Sequence, residues 1–352
     1  MNNPSETPEF SVVTGATVHH VLNGRRQEVC ELVERTYLLH GEANTVNPPS
    51  YFLRFPDRPT ARIIALPASV RGERPVDGLK WISSFPTNLD RGIPRASAVL
   101  ILNDPVTGYP YACLESSIIS AVRTAASAAV SARALGRDRP APRRVGFIGT
   151  GLIARYVHHY LAALGLQPEE FGVHDLSSEY AEGFAGHLRE TGDTPVRVHD
   201  TAEDLIRSSD VVVFATTAAT PHVTDPSWFA HHPLVLHVSL RDLGTDVILD
   251  SVNVVDDIEH VLKADTSVHL AEQRTGGREF IDGTLYDVLT GKLGAPADRT
   301  VVFSPFGLGV LDLAVGDFVH SRARETGALT PVEGFFHDLE RHRSPAGQEG
   351  TR

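Results

Sequence analysis

The chain reads as an α/β protein in which a doubly wound parallel sheet is joined to a sheet-rich α+β unit. Three observations predict this. From Arg144 onward short apolar strands alternate with helical segments, the stretch before it is a series of strand-like runs split by Pro and Gly, and GRDRPAPRR parts the two. At 352 residues the chain exceeds what a single core usually fills, so two domains are expected.

In order along the chain, EVCELVERTYLLHG has helical spacing of its apolar positions and ends at glycine. SYFLRF, ARIIAL, GLKWISS, ASAVLILND and YPYACLE follow as strands, and ESSIISAVRTAASAAVSARAL is a helix whose Ala and Ser content suits close packing on something flat. Next come RVGFIG and a helix to about Gly165, FGVHD and a helix through Leu188, VRVHD and TAEDLIRSS, then DVVVFATT, PLVLHVSL and NVVDD. Near-continuous apolar strands alternating with helices indicate a parallel sheet covered on both faces, and Thr201 with Asp204 forms a capping signal for the third helix. The expected domains are 1–137, joined by a C-terminal helical segment at 308–340, and 138–307. The tail 341–352 is expected to be disordered.

Composition excludes several function classes. Lys plus Arg number 32 against 44 Asp plus Glu, a formal charge of -12, which disfavours nucleic acid or an anionic bilayer as partner. Cys30 and Cys113 are too few for a disulfide framework or a thiolate cluster. MNNPSETPEF lacks the pattern of a signal segment and no run reaches the roughly 18 apolar residues of a membrane span, so a cytoplasmic location is expected. The pairs His19-His20, His158-His159 and His231-His232 point apart on helix or strand and have no partner at metal-ligand spacing, so no metal is expected.

RVGFIGTGLIA carries the chemistry. Gly149, Gly151 and Ala154 form G-x-G-x-x-A between a strand and a helix: a tight turn, a bare backbone for pyrophosphate, and close helix–strand packing. Gly149, Thr150, Gly151, Leu152 and Ile153 are therefore candidate cofactor-binding residues of a Rossmann-type domain, with the free N–H groups of the helix start facing the phosphates. Asp175 ends the second strand, where a carboxylate accepts ribose hydroxyls and repels a 2′-phosphate, so NAD is expected over NADP. Thr216, Thr217 and Ser239 end later strands at the carboxyl edge and are further candidates for cofactor contact.

Arg54, Lys80 and Arg123 are cations in apolar or small-residue settings. Each is either paired internally or awaits an anionic ligand, because a lone buried charge is costly.

GLKW with ESSIISAVRTAASAA, then VGFIGTGLIA, SLRDL and a late FGLGVLDLA, make the chain resemble the ornithine cyclodeaminase/mu-crystallin family, from about Asn47 to Val319. NPPSYFLRFP, WISSFPTNLDRGIPRASAVLILND and SPFGLGVLDL resemble its 2,3-diaminopropionate biosynthesis branch, the N-(2-amino-2-carboxyethyl)-L-glutamate dehydrogenases. The resemblance implies a sheet-rich domain that binds substrate and dimerises, with the C-terminal helix returning to it. It implies that Lys80 and Arg123, and Arg54 with them, bind the carboxylates of an amino-acid conjugate. The family's aspartate after the fifth strand is displaced here, in His237-Val238-Ser239-Leu240-Arg241-Asp242. Asp242 is the expected acid/base group, an ion pair with Arg241 being the alternative, and Lys80 is the second candidate catalytic group. The family's nicotinamide-side serine has no counterpart in Pro305-Phe306-Gly307, and its contact does not transfer. Three functions follow as alternatives: an NAD-dependent dehydrogenase acting on a CH–NH bond, a cyclodeaminase, and a non-catalytic crystallin-like binding protein.

Overall fold

The computed structural model describes residues 8–337, so the tail expected to be disordered lies outside the described residues. The chain begins with β1 (Ser11–Val13), α1 (Gly15–Leu22) and α2 (Arg26–Gly41). It continues through β2 (Thr45–Val46), β3 (Tyr51–Phe55), β4 (Arg58–Val70), β5 (Val76–Ser84), β6 (Ala96–Asn103), β7 (Pro110–Glu115) and α3 (Ser117–Leu135). After residues 136–143 come β8 (Arg144–Ile148), α4 (Leu152–Ala163), β9 (Glu170–His174), α5 (Ser178–Thr191), β10 (Val196–Val198), α6 (Ala202–Ser208) and β11 (Val211–Phe214). Then follow β12 (Leu234–His237), α7 (Thr245–Asp250), β13 (Val252–Val255), α8 (Ile258–Val261), α9 (Ser267–Thr275), β14 (Ile281–Thr284), α10 (Leu285–Leu289), β15 (Val301–Ser304), α11 (Gly309–Glu325) and β16 (Thr330–Pro331).

The first sheet is mixed, in the order β16-β1-β7-β6-β5-β4-β2 with β3 also on β4. Its pleat separates two sets of side chains. Register aligns Leu66, Lys80 and Leu100 on one face and Ala65, Trp81 and Val99 on the other. The Lys80 face is covered by α11, which lies close because Gly316 and Gly78 have no Cβ. A methyl at Gly316 would stand 2.1 Å from Leu100, and one at Gly78 would stand 2.8 Å from Leu313. The opposite face leaves Tyr51, Leu53, Trp81 and Val99 exposed. Helix α3 packs against α2, α4 and α11, which is why its Ala and Ser are small. By length and composition it could cross a membrane, which the sequence reading did not expect, yet here it is a buried core helix.

The second sheet has eight parallel strands in the order β10-β9-β8-β11-β12-β15-β13-β14. Its first five strands follow the order 3-2-1-4-5 that opens a ligand crevice where the winding reverses, here between β8 and β11. Thr201 caps α6 by accepting the Asp204 N–H, as its spacing predicts. Sequence patterning did not anticipate β14, β15, β1 or α1. The C-terminal helix stops at Glu325 rather than running on toward 340, because Thr326–Leu329 turn the chain into β16, which pairs with β1.

Candidate functional site

Gly149 has φ +84, a left-handed conformation, and a Cβ there would meet the Ala215 and Thr216 backbone at 2.7–2.8 Å. The turn thus presses directly against the end of β11 at the crevice. Gly151 has open space above its α-carbon and caps α4 with no side-chain hydrogen bond. The N–H groups of the first turn are therefore turned to an uncovered approach, which fits a pyrophosphate. Leu152 is exposed in that turn, and Ile153 packs inward against the core. Asp175 accepts the Thr150 N–H at 3.0 Å, the Thr150 hydroxyl at 2.9 Å and the Ser177 N–H at 3.0 Å. It holds the glycine turn in shape besides standing at the end of β9.

Lys80 and Arg123, expected to be paired internally or to bind a substrate carboxylate, share a carboxylate that sequence reasoning missed. Lys80 Nζ lies 2.6 Å from one oxygen of Asp312 and Arg123 Nε 3.3 Å from the other. Lys80 is 2% and Asp312 0% exposed. Burial pushes the Lys80 ammonium down to about 8, with Asp312 opposing the shift and Arg123 adding to it. Two cations against one carboxylate leave the charged triad one positive charge in excess, in a place where unpaired charge is costly. An anionic ligand relieves that excess. Arg123 reaches this position over Gly307, where a Cβ would stand 2.4 Å from its Nη1. Gly307 (φ +94) is thus required both by conformation and by space. Asp256, buried below, accepts the N–H groups of Phe306 and Gly307 at 2.9 and 2.7 Å and orders this turn. Phe306 itself packs against the apolar cluster of Val255 and Val261.

Asp242 is fully buried and does not pair with Arg241, which donates to the Ala264 carbonyl at 2.7 and 3.1 Å. The carboxylate accepts from the Thr216 and Ser239 hydroxyls and from His222 Nε2 at 3.1 Å. Thr216 and Ser239, expected to touch the cofactor, spend their hydroxyls here. Thr217 is exposed with no side-chain bond among the described residues. Leu240 makes the arrangement possible by adopting φ +72, a costly conformation for a bulky residue, which turns Ser239 and Asp242 toward each other. His237 accepts the Asp242 N–H on Nε2 and donates from Nδ1 to Ser304 Oγ, tying β12 to β15. Burial alone would raise the Asp242 carboxyl, but the hydrogen bonds from His222 and Ser239 hold it below the usual carboxylate range. These donors favour the ionised carboxylate.

His222 is a candidate site residue that no motif announced. Its side chain is 44% exposed, Nε2 is bound to Asp242, and Nδ1 has no bond among the described residues. Only its place in the loop after β11 could have marked it. These groups meet at one edge of the parallel sheet, since Arg123 touches Gly307 just past β15, Ser304 ends β15, and His237 bridges to Asp242 and so to His222.

The described residues also contradict the expectation that no histidine pair finds a partner. His187 of α5 joins His158 and His159 of α4, with ligand nitrogens within 4.8 Å of one another. The rings pack among Phe147, Phe171 and Phe184. Burial first, then neighbouring histidines and Arg26, lowers His158 to about 4, and Arg26 and Arg155 face His159. That positive surround disfavours a cation.

Fold and site together define a dinucleotide-binding α/β protein with a buried Lys80–Asp312–Arg123 cluster and a buried Asp242–His237 contact at the crevice. The model of the ornithine cyclodeaminase/mu-crystallin family matches residues 16–327, and the chain belongs to that family. It is 31% identical over 308 residues to the nodulation efficiency protein NfeD of Rhizobium meliloti, covering 86% of this chain and 92% of that one. It is 27% identical over 277 residues to the N-((2S)-2-amino-2-carboxyethyl)-L-glutamate dehydrogenase of Staphylococcus aureus, covering 77% and 82% of the two chains. Among solved structures, an archaeal alanine dehydrogenase dimer with bound NAD is similar at a TM-score of 0.82 and 25% identity, covering 93% of this chain and all of that one.

Proposed function

We propose that the protein is an NAD-dependent oxidoreductase that converts N-(2-amino-2-carboxyethyl)-L-glutamate, NAD and water to 2-oxoglutarate, L-2,3-diaminopropionate and NADH. Such a product would feed siderophore or peptide natural-product synthesis. The observation that carries the reading is the Lys80–Asp312–Arg123 triad, whose excess charge asks for a substrate carboxylate beside the crevice. NAD, held along the Gly149–Ile153 turn with Asp175 on its ribose, supplies the electron acceptor. Lys80 and Arg123 grip the α-carboxylate and orient the carbon that is oxidised. His222 Nδ1 takes the proton from the water that attacks the substrate imine and returns it to the departing amine, and ionised Asp242 stabilises the imidazolium through Nε2. The named activity of the Staphylococcus aureus relative supports the choice of conjugate.

The test is to incubate the protein with NAD and the conjugate, follow NADH absorbance and identify both products by mass. Conversion of ornithine to proline without net NADH would favour the cyclodeaminase. NAD binding with no turnover of either would favour a crystallin-like binding protein.

Asp175→Arg is expected to weaken NAD by at least about tenfold and to improve NADP relative to it, because the substitution removes the ribose acceptor and supplies a phosphate partner. Thr150→Val is the companion variant, since it removes one hydrogen bond that holds Asp175 while keeping its carboxylate. An equal NAD/NADP ratio in wild type and Asp175→Arg places ribose recognition elsewhere.

A homodimer through the outer face of the first sheet completes the reading, for Tyr51, Trp81 and Val99 form an exposed apolar row in register. Light scattering is expected to give about twice the 38.2 kDa chain mass, and Trp81→Glu to shift it toward the monomer. A monomeric wild type at micromolar concentration defeats the dimer.

A further inference from the structure

Beyond the Lys80–Arg123 clamp, four arginines gather with no carboxylate partner among the described residues. Arg54 of β3 stands opposite Arg62 of β4, Arg62 opposite Ser84 of β5, and Ser84 Oγ accepts from Arg95 Nη1 at 2.6 Å. Register puts Arg54, Arg62 and Ser84 on the sheet face that carries Lys80, four residues along β5 from it. That is about 13 Å of strand, a gap that arginine and lysine side chains reaching inward close to the span of a small di- or tricarboxylate. The fourth, Arg241, lies in the loop that follows β12 of the second sheet, next to Asp242 in the chain. None of the four makes a salt bridge, although Arg58 pairs with Asp57 nearby.

Clustering uncompensated guanidinium groups is unfavourable in proportion to their burial. Burial, then Arg241, Arg95 and Arg54, depresses Arg62, while burial depresses Arg95. Burial also lowers Arg241, with Asp265 opposing and Arg54 adding to the shift. In a chain with a net charge of -12 acidic residues are plentiful, yet among the described residues none forms a salt bridge to this group.

We propose that Arg62, Arg95 and Arg241, with Arg54 beside them, form an anion subsite for the further carboxylates of the substrate, and so select polycarboxylates. This rests on the proposed function and deepens it. Planar guanidinium groups bind carboxylates in bidentate fashion, whereas the ammonium tail of a diamino acid such as ornithine would be repelled. Because Arg241 follows β12 of the second sheet while the other three lie on or beside the first, the bound anion bridges the two.

The test is calorimetric binding to the NADH-loaded protein of the dicarboxylate 2-oxoglutarate and the monocarboxylate pyruvate. Wild type is expected to prefer 2-oxoglutarate by about 10- to 100-fold, the range of one or two charged hydrogen bonds. Arg62→Met and Arg241→Met should each erase most of that preference while leaving pyruvate and NADH affinity in place. Arg62→Lys, which keeps charge and bulk, should retain a part of it and serves if a Met variant fails to fold. Equal affinity for the two acids in wild type, or an undiminished preference in the variants, overturns the subsite. Preference without turnover of the conjugate retains the subsite and sinks the proposed reaction, whereas turnover without preference does the reverse.

Discussion

Replacing His222 by Gln is expected to lower turnover by roughly two to four decades, the usual contribution of a positioned acid/base group, with NADH affinity unchanged. Its Nδ1 is the open end of a pair whose other end is anchored on a carboxylate that accepts from Thr216, Ser239 and His222 itself. Asp242→Asn is expected to fall by a similar amount for another reason. The amide keeps the shape but removes the anion that stabilises protonated His222. Free imidazole should restore part of the activity of His222→Gly but none to Asp242→Asn, which separates a proton carrier from its positioning partner. Near-normal turnover in His222→Gln would remove this residue from the reaction and return the proton to Lys80 or to solvent.

Loss of Asp312 is expected to be the most destabilising single change near the site. Asp312→Leu leaves Lys80 and Arg123 buried, adjacent and uncompensated, and breaking a buried pair in this way costs about 3–5 kcal/mol. The check is the shift in denaturant midpoint at constant m value. A second substitution, Lys80→Met on the Asp312→Leu background, should recover a substantial part by removing one stranded cation, a coupling of roughly 1–3 kcal/mol in a double-mutant cycle. A single-variant loss under about 1 kcal/mol would show that solvent or rearrangement relieves the charges and that the triad is not buried as described.

The strands and helices of the second sheet were legible because period and punctuation agree there. VGFI, FGV, VVVF and LVL are apolar throughout, and Gly151, Ser177 and Gly244 cap the helices that follow the first, second and last of them. The glycine turn was legible for the same local reason. β15 was not, since VVFS runs into Pro305 and a loop rather than a helix with a recognisable start. Lys80 and Arg123 stand out in the sequence as unusual cations, and the structure answers the first of their two readings by pairing both with Asp312. Asp312 was invisible because one acidic residue within GVLDLAVGDF looks like any polar position of a helix. Its significance appears only when α11 is laid on β5, some 230 residues away in sequence.

By itself, the amino-acid order determined the two-part α/β organisation, the dinucleotide turn with Asp175, and the short set of charged residues worth asking about. These depend on local chemistry: backbone freedom at Gly149, side-chain period, and the cost of a cation among apolar neighbours. What only the tertiary structure decided is who answers each charge. Asp242 belongs to His222 and not to adjacent Arg241, because Leu240 bends the loop and Arg241 turns away to the Ala264 carbonyl. Likewise two strands in register, the bend before β6 and a loop of the second sheet bring four arginines together from separate places. Electrostatic interactions act through space at distances of a few ångströms, and no pattern along the chain encodes which distant residues will share that space.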